Sequence, residues 1–139
     1  KDYSEILFYP KNQDGNLANL PWDTIRKIGV GVFKNNQRIT SVVIGAQVTE
    51  IGEGAFCNCV LLDELQIPDS VVSIDDCAFR GCEKLERIII PSSVKDLGWG
   101  IFDGCPPSLV VYCDEGSEIQ AYCQRNKIKE DRIENWEKA

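Results

Sequence analysis

The chain has 139 residues, of which 43% are hydrophobic, and its formal net charge is −7. This length and composition suit one packed domain and exclude a disordered polymer. The acidic balance argues against a nucleic-acid partner and against attraction to anionic lipid, and no apolar run approaches the ~20 residues of a membrane span. The sequence starts at Lys1 and contains no methionine, so we expect a trimmed piece of a precursor.

The N-terminus is predicted to form a cap. Residues 5–9 and 17–20 have strand-like patterns, and Asp14-Gly15 between them is typical of a tight turn. We therefore predict that the two strands pair as a hairpin. A degenerate repeat follows, with apolar residues and a closing Asn-Asn in the columns that later repeats use: Leu20, Pro21, Ile25, Ile28, Gly29, Phe33, Asn35 and Asn36.

Three consecutive segments then repeat one pattern every 23 residues, at 39–61, 62–84 and 85–108. A constant period of this size predicts a solenoid, in which each coil buries its apolar edge by stacking on the next coil. The fold class is therefore predicted to be an α/β solenoid. It should be a short right-handed stack of about four coils with a parallel sheet on one face.

Each coil is predicted to have the same course, which the middle repeat illustrates. Leu65 and Ile67 alternate with polar residues and predict a short strand that Pro68 ends. Val71 and Ile74 predict a short extended piece after a corner. An Ala-Phe pair then predicts a helical turn, closed by Asn or Gly because these residues tolerate a left-handed backbone. Phenylalanine recurs at this point in every coil, so we expect a column of phenylalanines in the interior.

The C-terminal part of the chain is predicted to form a second cap. Residues 109–113 resemble a last strand, and Ser117 with Gln120 forms a capping-box pattern that predicts a helix through Cys123. We assign 1–126 to one solenoid domain, with 5–38 as N-terminal cap plus degenerate repeat and 109–126 as C-terminal cap. Residues 127–139 are predicted to be a charged helical tail.

The repeat resembles the BspA-like leucine-rich repeat family. The residues that carry the resemblance are Leu62, Leu65, Ile67, Pro68, Ser70, Val71, Ile74, Ala78, Phe79, Gly81 and Cys82. The same pattern recurs from Leu85 to Cys105, and the resemblance covers about residues 5–126. It implies a leucine-rich-repeat fold and a bacterial cell-surface or secreted location, with adhesion among the family's roles. A fold alone does not give a function.

The seven cysteines do not indicate a metal site or a disulfide framework. Cys59, Cys82 and Cys105 occupy one column of the repeat and should form a line, whereas zinc requires a tetrahedron. We interpret them as small buried apolar residues. A bridge between Cys113 and Cys123 stays open, because the last strand and the cap helix should touch.

No catalytic constellation is present in the sequence, and adjacent acidic pairs such as Asp75-Asp76 fit a solvated surface. We expect no enzyme activity, no cofactor and no metal. The candidates for partner binding are the residues that should face outward from the strands, together with a tryptophan that breaks the repeat: Ser41, Val43, Glu64, Gln66, Arg87, Ile89 and Trp99. The competing interpretation is scattered surface residues, and Trp99 fits an interface anchor or packing against the C-terminal cap equally well.

The functional hypothesis is a non-enzymatic module that binds a protein or a glycan through its strand face. The alternative is a structural spacer within a larger protein whose activity lies in another domain. Nucleic-acid binding and membrane insertion are not expected. A monomer is expected, because a capped acidic solenoid does not require a partner chain.

Overall fold

A computed structural model describes residues 5–9 and 15–138 of the chain. Ten short strands in this part form two parallel five-stranded sheets. Sheet A contains, in spatial order, β1 (Glu5–Ile6), β2 (Lys27–Ile28), β4 (Glu50–Ile51), β6 (Ser73–Ile74) and β8 (Asp96–Leu97). Sheet B contains β10 (Lys129–Arg132), β9 (Val110–Cys113), β7 (Arg87–Ile89), β5 (Glu64–Gln66) and β3 (Ser41–Val43).

The register of both sheets follows the 23-residue period. In sheet B, Val42 pairs with Leu65, Leu65 with Ile88, and Ile88 with Val111. In sheet A, the short extended piece of each coil forms the strand. The solenoid is therefore confirmed, with about five turns where four coils were predicted. The prediction of a sheet on one face missed sheet A, because strands of two residues leave no alternation to detect.

The phenylalanine column lies in the interior, as predicted. Phe33, Phe56 and Phe79 are fully buried, and Phe102 is 7% exposed. Consecutive rings stack, with centroid distances of 5.1, 5.5 and 5.9 Å from Phe33 to Phe102. The rings therefore form one continuous ladder along the third edge of the solenoid, which we name the turn edge.

The turn edge consists of hydrogen-bonded turns, where helical turns were predicted. Successive backbone N–H groups donate alternately to a carbonyl of the next coil and to one of the same coil. Phe56 N donates to Ala78 O at 2.8 Å, and Cys57 N donates to Gly54 O at 3.0 Å. The alternation requires left-handed residues, and Asn58 and Gly81 have φ values of 60° and 75°. The Asn or Gly that closes each repeat therefore has the predicted backbone conformation.

The predicted N-terminal hairpin is wrong. β1 runs parallel to β2, and Gly29 N donates to Ile6 O at 2.8 Å, so β1 takes the place of one more coil in sheet A. Leu17–Asn19 is a 3-10 helix, because the Asn16 side chain accepts from Ala18 N and turns the chain. Residues 1–4 and 10–14, which include Asp14 of the predicted hairpin turn, lie outside the described residues.

The C-terminal helix α1 (Glu118–Arg125) forms where the capping pattern predicted it. Ser117 Oγ accepts from Gln120 N at 3.2 Å, and the Gln120 side chain accepts from Gly116 N. It is the only α-helix in the described part of the chain. Sheet B continues past it, because β10 pairs in parallel with β9, so this end is not closed by the helix alone.

The predicted helical tail over 127–139 is wrong over Lys129–Arg132. Lys129–Arg132 forms β10, because β9 offers a free parallel edge to a segment that the charge pattern alone does not mark as a strand. A 3-10 helix, Ile133–Lys138, follows, and Ala139 lies outside the described residues. We name Ile133–Lys138 the C-terminal segment. The domain boundaries assigned from the sequence stay predictions.

Candidate partner-binding face

Sheet B turns one side toward solvent, and we name the side chains on that side the strand face. Alternation along β3, β5 and β7 buries the middle residues Val42, Leu65 and Ile88 and turns their neighbours outward. The outward positions are the six that the sequence predicted: Ser41, Val43, Glu64, Gln66, Arg87 and Ile89. Val43 is 83% exposed, which is unusual for a large apolar side chain in a strand.

A groove of about 570 Å³ runs across the strand face. Five of the six predicted residues line it: Ser41, Val43, Glu64, Gln66 and Ile89. Pro68 and Pro91, at the ends of β5 and β7, line the same groove. The surface is mixed, because valine, isoleucine and proline supply apolar area while a hydroxyl, an amide and the carboxylates of Glu64 and Asp69 supply hydrogen-bonding groups. Pockets that bind ligands commonly combine apolar area with a few polar groups.

Arg87 lies outside the groove, because the C-terminal segment covers it. The Arg87 guanidinium lies 3.8 Å from the ring centroid of Trp136, and Arg87 Nη1 donates to Trp136 O at 2.7 Å. Trp136 also meets Tyr112 of β9 edge to face, with ring centroids 5.3 Å apart, and both are at least 94% buried. The strand face is thus open over β3, β5 and Ile89 of β7, and covered at Arg87 of β7 and Tyr112 of β9.

Glu64 connects the open half of the strand face to the covered half. It lines the groove, and its Oε1 lies 3.6 Å from Arg87 Nη2. Both side chains are partly exposed, at 44% and 26% respectively, so the ion pair is screened and contributes at most about 1 kcal/mol. A ligand group that engages Glu64 would therefore compete with Arg87 at little cost.

Trp99 is solvent-exposed, as its position in the repeat predicted, with 65% of its surface accessible. It follows β8 of sheet A, and its main-chain O accepts from Cys77 N on the turn edge. The described residues that line the strand-face groove do not include Trp99. The structure therefore brings six of the seven predicted residues onto one sheet and places Trp99 elsewhere.

The cysteine column has a structural role on the turn edge. Sγ of Cys59, Cys82 and Cys105 each donates to the main-chain carbonyl of a phenylalanine in the preceding coil, at 3.1 to 3.2 Å. Burial raises the pKa of the Cys59 and Cys105 thiols to about 12. These thiols therefore stay protonated and unreactive at neutral pH. All seven cysteines are free, including Cys113 and Cys123.

Other classes of site receive no support from the described residues. Within 5–9 and 15–138, no three potential ligand side chains of His, Cys, Asp or Glu come together as a metal site would require. No helix in the same ranges has the length and apolarity to cross a membrane.

The family model for the BspA type leucine-rich repeat region matches residues 8–129 in six copies. This match spans most of the chain. The chain belongs to the BspA-type leucine-rich repeat family. The phenylalanine ladder, the cysteine column and the left-handed Asn or Gly are therefore parts of one family repeat. No curated protein sequence matches the chain.

Solved structures of bacterial leucine-rich repeat proteins have the same fold. The pneumococcal vaccine antigen PcpA is 25% identical, with a TM-score of 0.72 over 81% of this chain and 28% of its own. A leucine-rich repeat protein from Bacteroides ovatus is 37% identical, with a TM-score of 0.57 over 68% of this chain and 26% of its own. A leucine-rich cell surface protein from Faecalibacterium prausnitzii is 28% identical, with a TM-score of 0.56 over 91% of this chain and 38% of its own.

The chain thus spans only about a quarter to two fifths of the length of these relatives.

Proposed function

We propose that this chain is a non-enzymatic interaction module of a bacterial cell-surface or secreted protein, and that it binds a protein partner in the groove of the strand face. The observation that carries the proposal is the groove itself, which brings Val43, Gln66 and Ile89 together on adjacent strands. Two of the proteins with the same fold, a pneumococcal vaccine antigen and a cell surface protein, support this location.

The chemistry of the groove favours a protein over a glycan. Its outward side chains project from three parallel strands at a strand spacing of about 4.8 Å, which suits successive side chains of a peptide. Val43 at one end and Ile89 at the other flank the Gln66 amide, which can hydrogen-bond a peptide group. The described residues that line the groove include no exposed aromatic ring on which a sugar would stack, and Trp99 lies elsewhere.

The test is a binding screen of the purified chain against host extracellular matrix proteins and bacterial cell-wall glycans. For each partner found, Val43→Asp should weaken binding by at least tenfold, since it places a charge in the apolar part of the groove. Val30→Asp is the matched control, because Val30 is also an exposed valine, at 71%, but follows β2 of sheet A.

A partner that binds Val43→Asp and Val30→Asp equally well would show that it does not bind in the groove. Binding to glycans alone would contradict a protein partner. Binding to a matrix protein would support a role in adhesion. A chain that binds nothing in the screen would support the alternative, a spacer whose larger protein acts through another domain.

A further inference from the structure

The C-terminal segment is held on the strand face mainly by one side chain. Trp136 is 5% exposed, while Glu134, Glu137 and Lys138 around it are exposed. The Asn135 amide bonds to Asp131, which belongs to the adjoining strand β10. Among the described residues, the hydrogen bond that joins the C-terminal segment to the repeats is the one that Arg87 donates to Trp136 O.

Arg87 and Tyr112 together form what we name the indole cradle. The guanidinium stacks on the face of the indole, Tyr112 meets it edge to face, and Arg87 Nη1 binds the main-chain carbonyl of the same residue. Arginine over tryptophan is the most favourable cation–π arrangement, and arginine's fixed geometry lets it stack and donate at once. None of these contacts requires that the tryptophan be joined to this chain.

The segment also limits the groove. Ile133, its first residue, lines the groove beside Ile89, so the open part of the strand face ends where the segment begins. Removal of the segment would expose the outward side chains of β7 and β9 and join them to the groove. Glu64 would remain at the junction, with its Arg87 partner released from Trp136.

We propose that the C-terminal segment is a displaceable cover, and that a protein partner with an exposed tryptophan replaces Trp136 in the indole cradle. The proposal deepens the proposed function, on which it rests for the existence of a partner. The partner would meet the groove over β3, β5 and β7 when the cover is closed, and would also reach Arg87 and Tyr112 of β9 when it is open. Because the cover competes with the partner, the apparent affinity would depend on the fraction of open molecules.

The first test measures the cover without any partner. Amide hydrogen exchange of the full chain should show the amides of 133–138 exchanging about 100-fold faster than those of β5 and β7, as a segment that opens locally does. Trp136→Ala should speed exchange in the segment further and leave the protection of β5 and β7 unchanged, whereas Trp136→Phe should keep most of it. Trp99→Ala is the control and should change neither. Exchange of the segment at the same rate as the inner strands would overturn the proposal.

The second test measures whether the cradle accepts an indole that is not part of the chain. N-acetyl-tryptophanamide carries both groups that Arg87 contacts, the indole and a neighbouring carbonyl. In NMR titrations to its solubility limit, it should shift the Arg87 Nε–H resonance in Trp136→Ala and not in the parent chain. N-acetyl-leucinamide is the control probe and should shift neither.

The absence of any shift in Trp136→Ala, or equal shifts in the variant and the parent, would overturn the proposal. The groove residue Val43 has no part in either test. A negative result in these two tests therefore does not affect the Val43→Asp test of the groove. A negative result in the Val43→Asp test likewise does not affect the tests of the indole cradle.

Discussion

Phe79→Ala tests the interior ladder at a position with a phenylalanine ring on either side. Phe79 is fully buried and stacks on two rings, Phe56 at 5.5 Å and Phe102 at 5.9 Å. Truncation of a buried phenylalanine costs about 3–5 kcal/mol, and the two ring contacts place this site in the upper half of that range. At an unfolding entropy of about 2.1 cal/mol/K per residue, a loss of about 4 kcal/mol lowers the Tm of this 139-residue chain by about 14 °C.

The assay is thermal unfolding followed by circular dichroism, with urea unfolding as a second measurement of the free energy. Phe79→Leu is the matched variant, since it keeps most of the buried volume and should lose less than half as much stability. Phe102→Ala should also cost less, because Phe102 stacks on one described phenylalanine ring and is slightly exposed. A Tm for Phe79→Ala within about 3 °C of the parent would refute the ladder as the source of cohesion.

Four further substitutions probe the turn edge. Cys77 has a φ of 58° at the position where the neighbouring coils have Gly54 and Gly100. Cys77→Gly should therefore raise the free energy of unfolding by about 0.5–1 kcal/mol. Gly54→Ala should lower it by a similar amount, and urea unfolding measures both. Asn36 is buried and its Oδ1 accepts from Arg38 N and Ile39 N, so Asn36→Ala should cost about 2 kcal/mol by the same measurement. Burial raises the pKa of Cys59 from 9.0 to about 12, so the thiol stays protonated in the fold while the unfolded chain releases its proton above pH 9. The free energy of unfolding should therefore fall as pH rises from 9 toward 12, and Cys59→Ala should lessen that fall by about 1.4 kcal/mol per pH unit. Equal slopes for parent and variant would contradict the burial of this thiol.

The parts of the fold that repeat could be predicted from the sequence. Each column occurs at least three times, so the solenoid, the buried phenylalanines and the left-handed Asn58 and Gly81 follow from the period alone. The outward positions of β3, β5 and β7 follow from alternation within a strand. Sheet A was not predicted as a sheet, because Glu50–Ile51 and its equivalents are too short to show alternation.

The two ends could be predicted only in part, because nothing in them repeats. The strand-like pattern of 5–9 and the capping pattern of Ser117 were recognisable, but the parallel pairing of β1 and the strand β10 depend on an open sheet edge, which is a property of the assembled solenoid. Trp136 was assigned to a charged tail, although a single large aromatic residue among charged ones is a signal of burial. Arg87, which contacts Trp136, was correctly placed on the strand face. The C-terminal segment that covers Arg87 was missed because it lies outside the repeats.

The most direct test of the account is methyl-resolved NMR of the full chain, titrated with a partner that the binding screen yields. The methyl resonances of Val43 and Ile89 should shift first and most, and those of Ile133 should change as the partner reaches the C-terminal segment. The exposed valines Val30 and Val72 lie off the strand face and should stay unchanged. Shifts at Val30 and Val72 without shifts at Val43 and Ile89 would contradict binding at the strand face.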